Sequence, residues 1–482
     1  MFDDRVAELL DQVCSAARAE SRAAAQRLVG IGEVFALRMR ESGETAEWAV
    51  DATDAVCAEV AAALGIGRGL ATSQLRYARA LRDRLPHLGQ AFVAGDIDEA
   101  TFRTAVFRTG LIRDDEVLAQ VDEQLAAQAP RWGSTNQSQL GARIDKIVLR
   151  VDRDAVRRRA ERIAGREVFV GAVDNGLAEL SATLFATDAF AVSDRLSALA
   201  ATVCESDPRT VAQRRADAFA ALAVGADRLG CGCRSPDCPA GGTAASPVVI
   251  HVIAEQATLD GRGDTPGVLS GYDGLLPPEL VAQLAASARL QPLILPTVTA
   301  PEPGYTPSKA LADYVRYRDL TCRFPNCDQP AVGCDVDHTV AHGDGGHTHP
   351  SNLKCLCRFH HLLKTFWGWT DEQLRDGTVI WTAPNGEKHV THPGGPLVFE
   401  ALGIPTGPLA HRPRDTDRSG DKTAMMPKRR RTREQNRAAA ITAERRANRQ
   451  HHTDPTPRSI PDEYLEYDDT FTTATDSDPP PF

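Results

Sequence analysis

Nowhere in the sequence do about eighteen apolar residues follow one another, so no membrane-spanning helix is expected. The N-terminus, MFDDRVAELLDQV, starts acidic and amphipathic and lacks the basic and apolar stretches of an export signal. The expected compartment is the reducing cytoplasm, and no membrane partner is expected. Positive charge is also in short supply. Lys and Arg number 55 against 65 Asp and Glu, a formal net charge of -10, with an isoelectric point near 5.8. Any grip on nucleic acid must then rest on local basic stretches rather than on the overall field. Strand-like alternation is almost absent from the first 150 residues, which excludes a β-rich beginning.

A chain of 482 residues is too long for one ordinary core, so two or three domains are expected. Residues 1–150 read as a helical domain, rich in Ala, Leu, Arg and Glu, with apolar residues three and four apart. Leu9, Leu10, Val13 and Ala17 form one such stripe. Within it, residues 54–81 have the outline of a helix-turn-helix: AVCAEVAAAL runs into Gly65, and a second helical stretch carries Arg68, Thr72, Ser73 and Arg76. A plain helical hairpin inside a bundle has the same outline. Residues 151–258 read as a small α+β region, with a hairpin turning at Asp174-Asn175-Gly176, two helices, and a strand candidate from Pro247. Residues 259–308, rich in Gly and Pro, read as a linker. Residues 309–397 form a second unit closed by a hairpin at Asn385-Gly386. Residues 398–482 read as a disordered tail, basic and then acidic.

The 11 cysteines fall into a few isolated residues and two clusters, and with no export signal clustered thiols read as metal ligands. Cys231, Cys233 and Cys238 form the first cluster. A closed zinc site wants a fourth ligand, for which His251 and Cys204 are candidates. The second cluster lies in residues 322–365. Cys322 and Cys327, four residues between them, and Cys357 and His360, two between, suit tetrahedral zinc held by two remote segments. Such a clamp is worth roughly 10–16 kcal/mol of apparent binding free energy in small domains, enough to carry a local fold. Cys334 and Cys355 are left over as small buried residues.

Between the halves of that clamp lie Asp337-His338, a turn Gly343-Asp-Gly-Gly346, and Asn352; His361 follows directly after the last clamp ligand. This second set resembles the HNH nuclease motif, the ββα-metal finger: Asp-His on a first strand, Asn in or near a second, His on a helix, here expected over 355–367. On that resemblance His338 is the general base, a neutral imidazole suited to taking a proton from water near neutral pH. Asp337 and His361 hold a divalent cation such as Mg²⁺ or Mn²⁺. Asn352 braces the base by bonding backbone of the His338 strand, and Lys364 is a candidate phosphate contact. Thr365 stands where some such centres carry a further His, and His342, His347 and His349 rank as loop residues. The charge over residues 309–365 comes to only +1, a weak footprint for DNA binding by this unit alone. The basic block at 422–449 is a secondary candidate for gripping phosphate.

The wording CRFPNC at 322–327 and NLKCLCRFHHLLKT at 352–365, with QRRADAF from Gln213, resembles the actinobacterial HNH endonucleases of the 13E12-repeat family. Those carry an N-terminal domain of unknown function 222 ahead of a C-terminal HNH domain. The resemblance covers about residues 20–400. It implies a mainly α N-terminal part with a small α+β middle region, a zinc-containing ββα-metal domain, and a DNA-cutting activity. The competing reading is a non-catalytic DNA-binding or regulatory protein with a structural zinc finger. Neither reading sets an oligomeric state.

Overall fold

The computed structural model describes residues 4–132, 136–156, 167–174, 176–184, 186–233, 235, 238, 251–269, 274–286, 288–296, 300–407 and 425–453. It is mostly helical with small sheets. Among the described residues no single helix is long and apolar enough to cross a membrane.

Seven helices make the N-terminal bundle: α1 (Asp4–Glu41), α2 (Ala52–Leu64), α3 (Arg68–Arg79), α4 (Pro86–Ala94), α5 (Glu99–Arg108), α6 (Asp115–Gln128) and α7 (Gln137–Val151). Their starts follow from local chemistry. Asp51 and Asp54 form a reciprocal capping box at α2, and Asp98, Asp114 and Asn136 accept backbone N–H groups at α5, α6 and α7. Leu28, Val56, Leu75, Phe92, Phe102 and Val121 are among the residues that close the core. The stripe Leu9, Leu10 and Val13 is helical but exposed, because burial on α1 begins only at Ala24.

Gly65 ends α2 in the left-handed conformation (φ +66°), which only glycine adopts without strain. α2 and α3 meet there at 110°, within the range of a helix-turn-helix. Their faces are committed inward, however. Val56, Cys57, Val60 and Ala61 of α2 enter the N-terminal core, and Ala55, Ala58 and Ala62 enter the C-terminal one. The Arg68 guanidinium lies 3.6 Å from the centre of the Phe359 ring and 3.4 Å from Asp54. Thr72 and Ser73 donate to carbonyls one turn back on their own helix. The helix-turn-helix outline is present, with Arg68 resting on Phe359 and Arg68, Thr72 and Arg76 exposed on the second helix.

The middle region contains the hairpin β1 (Glu167–Asp174) and β2 (Leu177–Thr183) and the helices α8 (Ala186–Ala200) and α9 (Val211–Ala223). Asn175 of the expected turn and residues 247–250 of the expected strand lie outside the described residues, and strand pairing begins at Val252. The expected linker is partly ordered. β3 (Val252–Ile253), β4 (Gly267–Leu269) and β5 (Leu275–Leu276) form one sheet, followed by α10 (Pro278–Ala285). Val268 of that sheet is buried in the C-terminal core, so apolar residues scattered among Gly and Pro suffice to dock it.

The C-terminal unit runs α11 (Lys309–Asp319), β6 (Asp335–His338), β7 (Leu353–Leu356) and α12 (Arg358–Phe366). The sheet β8 (Thr370–Gln373), β9 (Val379–Thr382) and β10 (Lys388–Thr391) follows, with the expected turn at Asn385-Gly386 joining its last two strands. The helix expected from Cys355 starts only at Arg358, because Cys355 and Leu356 are still paired in β7.

The tail differs most from expectation. Residues 408–424 and 454–482 lie outside the described residues. Between them, α13 (Arg433–Thr453) docks on the N-terminal bundle. Arg429 lies 3.0 Å from Asp51 and 2.6 Å from Asp54, Arg433 pairs with the same two carboxylates, and Arg445 lies 2.6 Å from Asp152. A basic block that reads as solvated in isolation is ordered because carboxylates from remote helices receive it.

Candidate functional site: a strand hairpin, a helix and two thiol clusters

β6 and β7 pair antiparallel with Asp337 opposite Lys354 and His338 opposite Leu353, and α12 packs on both strands. The loop between the strands closes tightly. A Cβ at Gly346 would lie 1.8 Å from the Val340 carbonyl oxygen, so only glycine fits there.

Asp337, His338, Asn352 and His361 are brought together. Asn352 accepts from the Val340 N–H at 2.8 Å and donates to the carbonyls of Val340 at 3.0 Å and His347 at 2.9 Å. That is the bracing expected of it, applied to the chain just after His338. His338 is buried, and its Nε2 lies 2.9 Å from Thr348 Oγ1. The Thr348 hydroxyl donates to the Gly304 carbonyl at 2.5 Å. Its hydrogen being used, Thr348 accepts from His338 Nε2–H, and the ring's lone pair falls on Nδ1. Burial pushes His338 down to about 4, so the ring is neutral at physiological pH. The exposed Tyr305 ring stacks on it at 5.3 Å, and His342 meets both rings edge-on.

Asp337 uses its two oxygens differently. Oδ2 receives Lys354 Nζ at 2.9 Å and Lys364 Nζ at 2.8 Å, while Oδ1 faces His361 Nε2 at 3.3 Å. Burial pushes the carboxyl up, but Lys354, Lys364 and His361 outweigh it and hold Asp337 well below the ordinary range. Asp335 Oδ2 lies 2.8 Å from His361 Nδ1 and sets that ring's orientation, as carboxylates do behind metal-ligating imidazoles. The pair Asp337 Oδ1 and His361 Nε2 has the spacing that adjacent ligands about 2.1 Å from a divalent ion require, roughly 3 Å. The donor set fits such an ion with two protein ligands.

Lys364 sits differently from its expected place at the phosphate surface. Besides Asp337, its ammonium donates to the His338 carbonyl at 2.7 Å and pairs with Asp371 at 3.0 Å, so it faces inward. Thr365 donates to the His361 carbonyl. His349, ranked as a loop residue, is buried against Ser351.

Several residues escaped the sequence reading. Lys354 is fully buried between Asp337 and Asp371, the latter at 2.6 Å. Its position opposite Asp337 follows from hairpin pairing and was open to inference; so was Asp335, on the same strand face as Asp337. Asp371 arrives from β8 and Thr348 and Tyr305 from loops, with no local signal.

At the N-terminal end of α12, ligand atoms of Cys322, Cys327, Cys357 and His360 all lie within 4.8 Å of one another. His360 Nδ1 is 3.5 Å from Cys322 Sγ and 3.3 Å from Cys357 Sγ. Phe324 stacks on the His360 ring at 4.0 Å and roofs the cluster. This set can bind a metal such as zinc. The neighbours His360 and His361 therefore face different ways, one to the thiols and one to Asp337. Cys334 and Cys355 are buried outside the cluster, as expected. The first thiol cluster also closes: Cys231, Cys233 and Cys238 meet Cys204, and His251 is not among them.

The family model described as a domain of unknown function (DUF222) matches residues 15–319. Similar relatives occur in Mycobacterium tuberculosis (strain ATCC 25618 / H37Rv). The uncharacterized protein Rv3776 is 42% identical over 467 residues, covering 91% of this chain and 89% of that protein. The uncharacterized protein Rv2100 is 42% identical over 475 residues, covering 90% and 86%. No solved structure matches.

Proposed function

Since this chain belongs to the DUF222 family, whose description carries no activity, we propose from the site alone that it is a divalent-metal-dependent HNH endonuclease hydrolysing DNA phosphodiester bonds. The observation that carries this reading is the meeting of four groups on one strand hairpin and its helix. Asp337 Oδ1 and His361 Nε2 face each other at 3.3 Å, His338 is the next residue along the strand, and Asn352 braces the turn beyond it.

In this reading His338 Nδ1 takes the proton of the attacking water while the water oxygen bonds to phosphorus and the bond to the 3′ oxygen breaks. Asn352 and Thr348 keep the ring in place, and Thr348 fixes which nitrogen is free. A base near 4 is weak, but the negative charge of a phosphodiester arriving beside the ring raises it toward the working range. Asp337 Oδ1 and His361 Nε2 would hold the cation, which when bound offsets charge on the scissile phosphate and the departing oxygen. Asp335 keeps His361 turned toward it. The thiol clamp at 322–360 would hold structural zinc and fix α12 against the hairpin.

One observation favours the alternative of a non-catalytic DNA-binding or regulatory protein. Two ammonium groups already occupy Asp337 Oδ2, which lowers the charge offered to a metal. Nicking of supercoiled plasmid with added Mg²⁺ or Mn²⁺, wild type against His338→Ala, separates the two. The nuclease reading expects nicking that His338→Ala loses while it still shifts DNA in a gel. Equal nicking by both proteins would refute the assigned base. DNA binding without nicking by either, across both metals, would favour the alternative.

A further inference from the structure

We propose that Cys204, Cys231, Cys233 and Cys238 form a second, closed zinc site that holds the α8–α9 unit of the middle region together. It lies outside the hairpin and helix on which the nuclease reading rests, and stands or falls independently of it.

Apolar packing in this unit is scant. Among the described residues from 186 to 238 the buried cluster is Leu196, Leu199 and Ala218, with Val192, Ala221 and Leu222 half-buried against it and Ala200 and Leu229 buried beside it. Segments of this size with so small a core generally need a cross-link or a metal to fold. In its place there is a polar scaffold that brings two loops together. Asp207, buried at the turn after Cys204, accepts the Gly232 N–H at 2.7 Å and the Arg209 guanidinium at 2.7 Å. Arg209 reaches across to the Gly230 carbonyl at 2.6 Å, and Thr202 accepts the Leu229 N–H at 2.9 Å. These bonds flank Cys204 on one side and Cys231 on the other. They set the loop from Cys231 to Cys238 against the turn at Cys204.

The result is four sulfur atoms mutually within 4.8 Å, with Cys204 and Cys231 at 3.4 Å. None of the four is joined in a disulfide. Tetrahedral zinc at about 2.3 Å from each sulfur spaces its ligands by roughly 3.8 Å, so small adjustments close the site. Four soft thiolates with no open position suit a structural ion rather than a catalytic one. Sequence spacing alone supplies three of these ligands. The fourth comes from the preceding interhelical loop, 27 residues before Cys231.

The test uses the full chain, purified under reducing conditions without added metal, with zinc counted by elemental analysis and native mass spectrometry. Two zinc ions per chain are expected. Cys204→Ser should retain one and Cys204→His should regain the second, since imidazole can replace a thiolate. Hydrogen exchange should rise several-fold in residues 186–238 of Cys204→Ser, with residues 309–397 unchanged. A Cys204→Ser chain that still holds two zinc ions would overturn the assignment. So would a wild-type chain with one ion that Cys327→Ser removes. An iron chromophore, or a mass two daltons low from a Cys204–Cys231 disulfide, would replace zinc with another occupant and equally sink the proposal.

Discussion

Lys354 is the sharpest place to test whether the hairpin is organised by charge. Its side chain is wholly buried, with Nζ 2.9 Å from Asp337, 2.6 Å from Asp371 and 3.1 Å from the Thr339 hydroxyl. Lys364 touches the same two carboxylates from the open side, at 2.8 and 3.0 Å. The four charges cancel. Lys354→Met keeps most of the volume but leaves one excess negative charge in a buried site. Removing one member of a buried pair typically costs about 3–5 kcal/mol. Because Lys364 remains bound to both carboxylates, the lower end, about 3 kcal/mol, is expected here. Hydrogen exchange of the β6 and β7 amides reads this locally, and Trp381 fluorescence against urea reads it for the unit, the Trp381 ring lying 5.7 Å from the ammonium. Lys354→Met with Asp371→Leu should recover most of the loss, since the pair leaves together. A single Lys354→Met within about 1 kcal/mol of wild type would refute a charge-organised hairpin.

Three further outcomes follow from the geometry. His338 is held down to about 4 by burial, against an ordinary value of about 6.5. The unfolded chain then takes up a proton that the folded one refuses, so stability is full above about pH 6.5 and falls as pH drops toward 4. Asp337 is also depressed, so its contribution is present above about pH 3.9, the unfolded value, and is lost below it. Urea midpoints should fall between pH 6.5 and 4.5 in wild type and much less in His338→Gln; a flat wild-type profile contradicts the buried neutral ring. The neighbours on α12 should separate: Cys327→Ser should unfold residues 309–397, the scale of zinc binding being about 10–16 kcal/mol, while His361→Ala leaves them folded, as judged by Trp fluorescence. Equal melting of Cys327→Ser and wild type would remove the clamp. Truncation after residue 407 should loosen the N-terminal bundle to proteolysis while shifting the salt slope of DNA binding little, because Arg429, Arg433 and Arg445 already face carboxylates. An unchanged bundle with a slope flattened by about two units or more would instead make the tail a phosphate grip.

Much of the site was legible in the residues. Paired ligands at Cys322/Cys327 and Cys357/His360 have a spacing that means little except a metal clamp, and the structure brings their ligand atoms together. The different facing of His360 and His361 follows from adjacency on a helix, where successive side chains point about 100° apart. The stretch at 425–453 was misread because a like-charge block carries no information about remote carboxylates. The stretch at 259–308 was misread because its turns hide short strands that need a distant core.

The sequence alone determined the helical bundle, the hairpin and helix at 335–366, and seven of the eight ligands in the two thiol clusters by spacing, with Cys204 and His251 left as rivals for the eighth. These are local properties: caps, periodicity, turn residues and ligand intervals act over a few residues. Tertiary structure decided what depends on remote partners. It chose Cys204 over His251, turned Lys364 inward, buried Lys354 between Asp337 and Asp371, and tied the basic tail to Asp51, Asp54 and Asp152. A charge or a thiol has no preferred neighbour along the chain. Its partner is whichever complementary group packing brings within about 4 Å, and only the fold sets that distance.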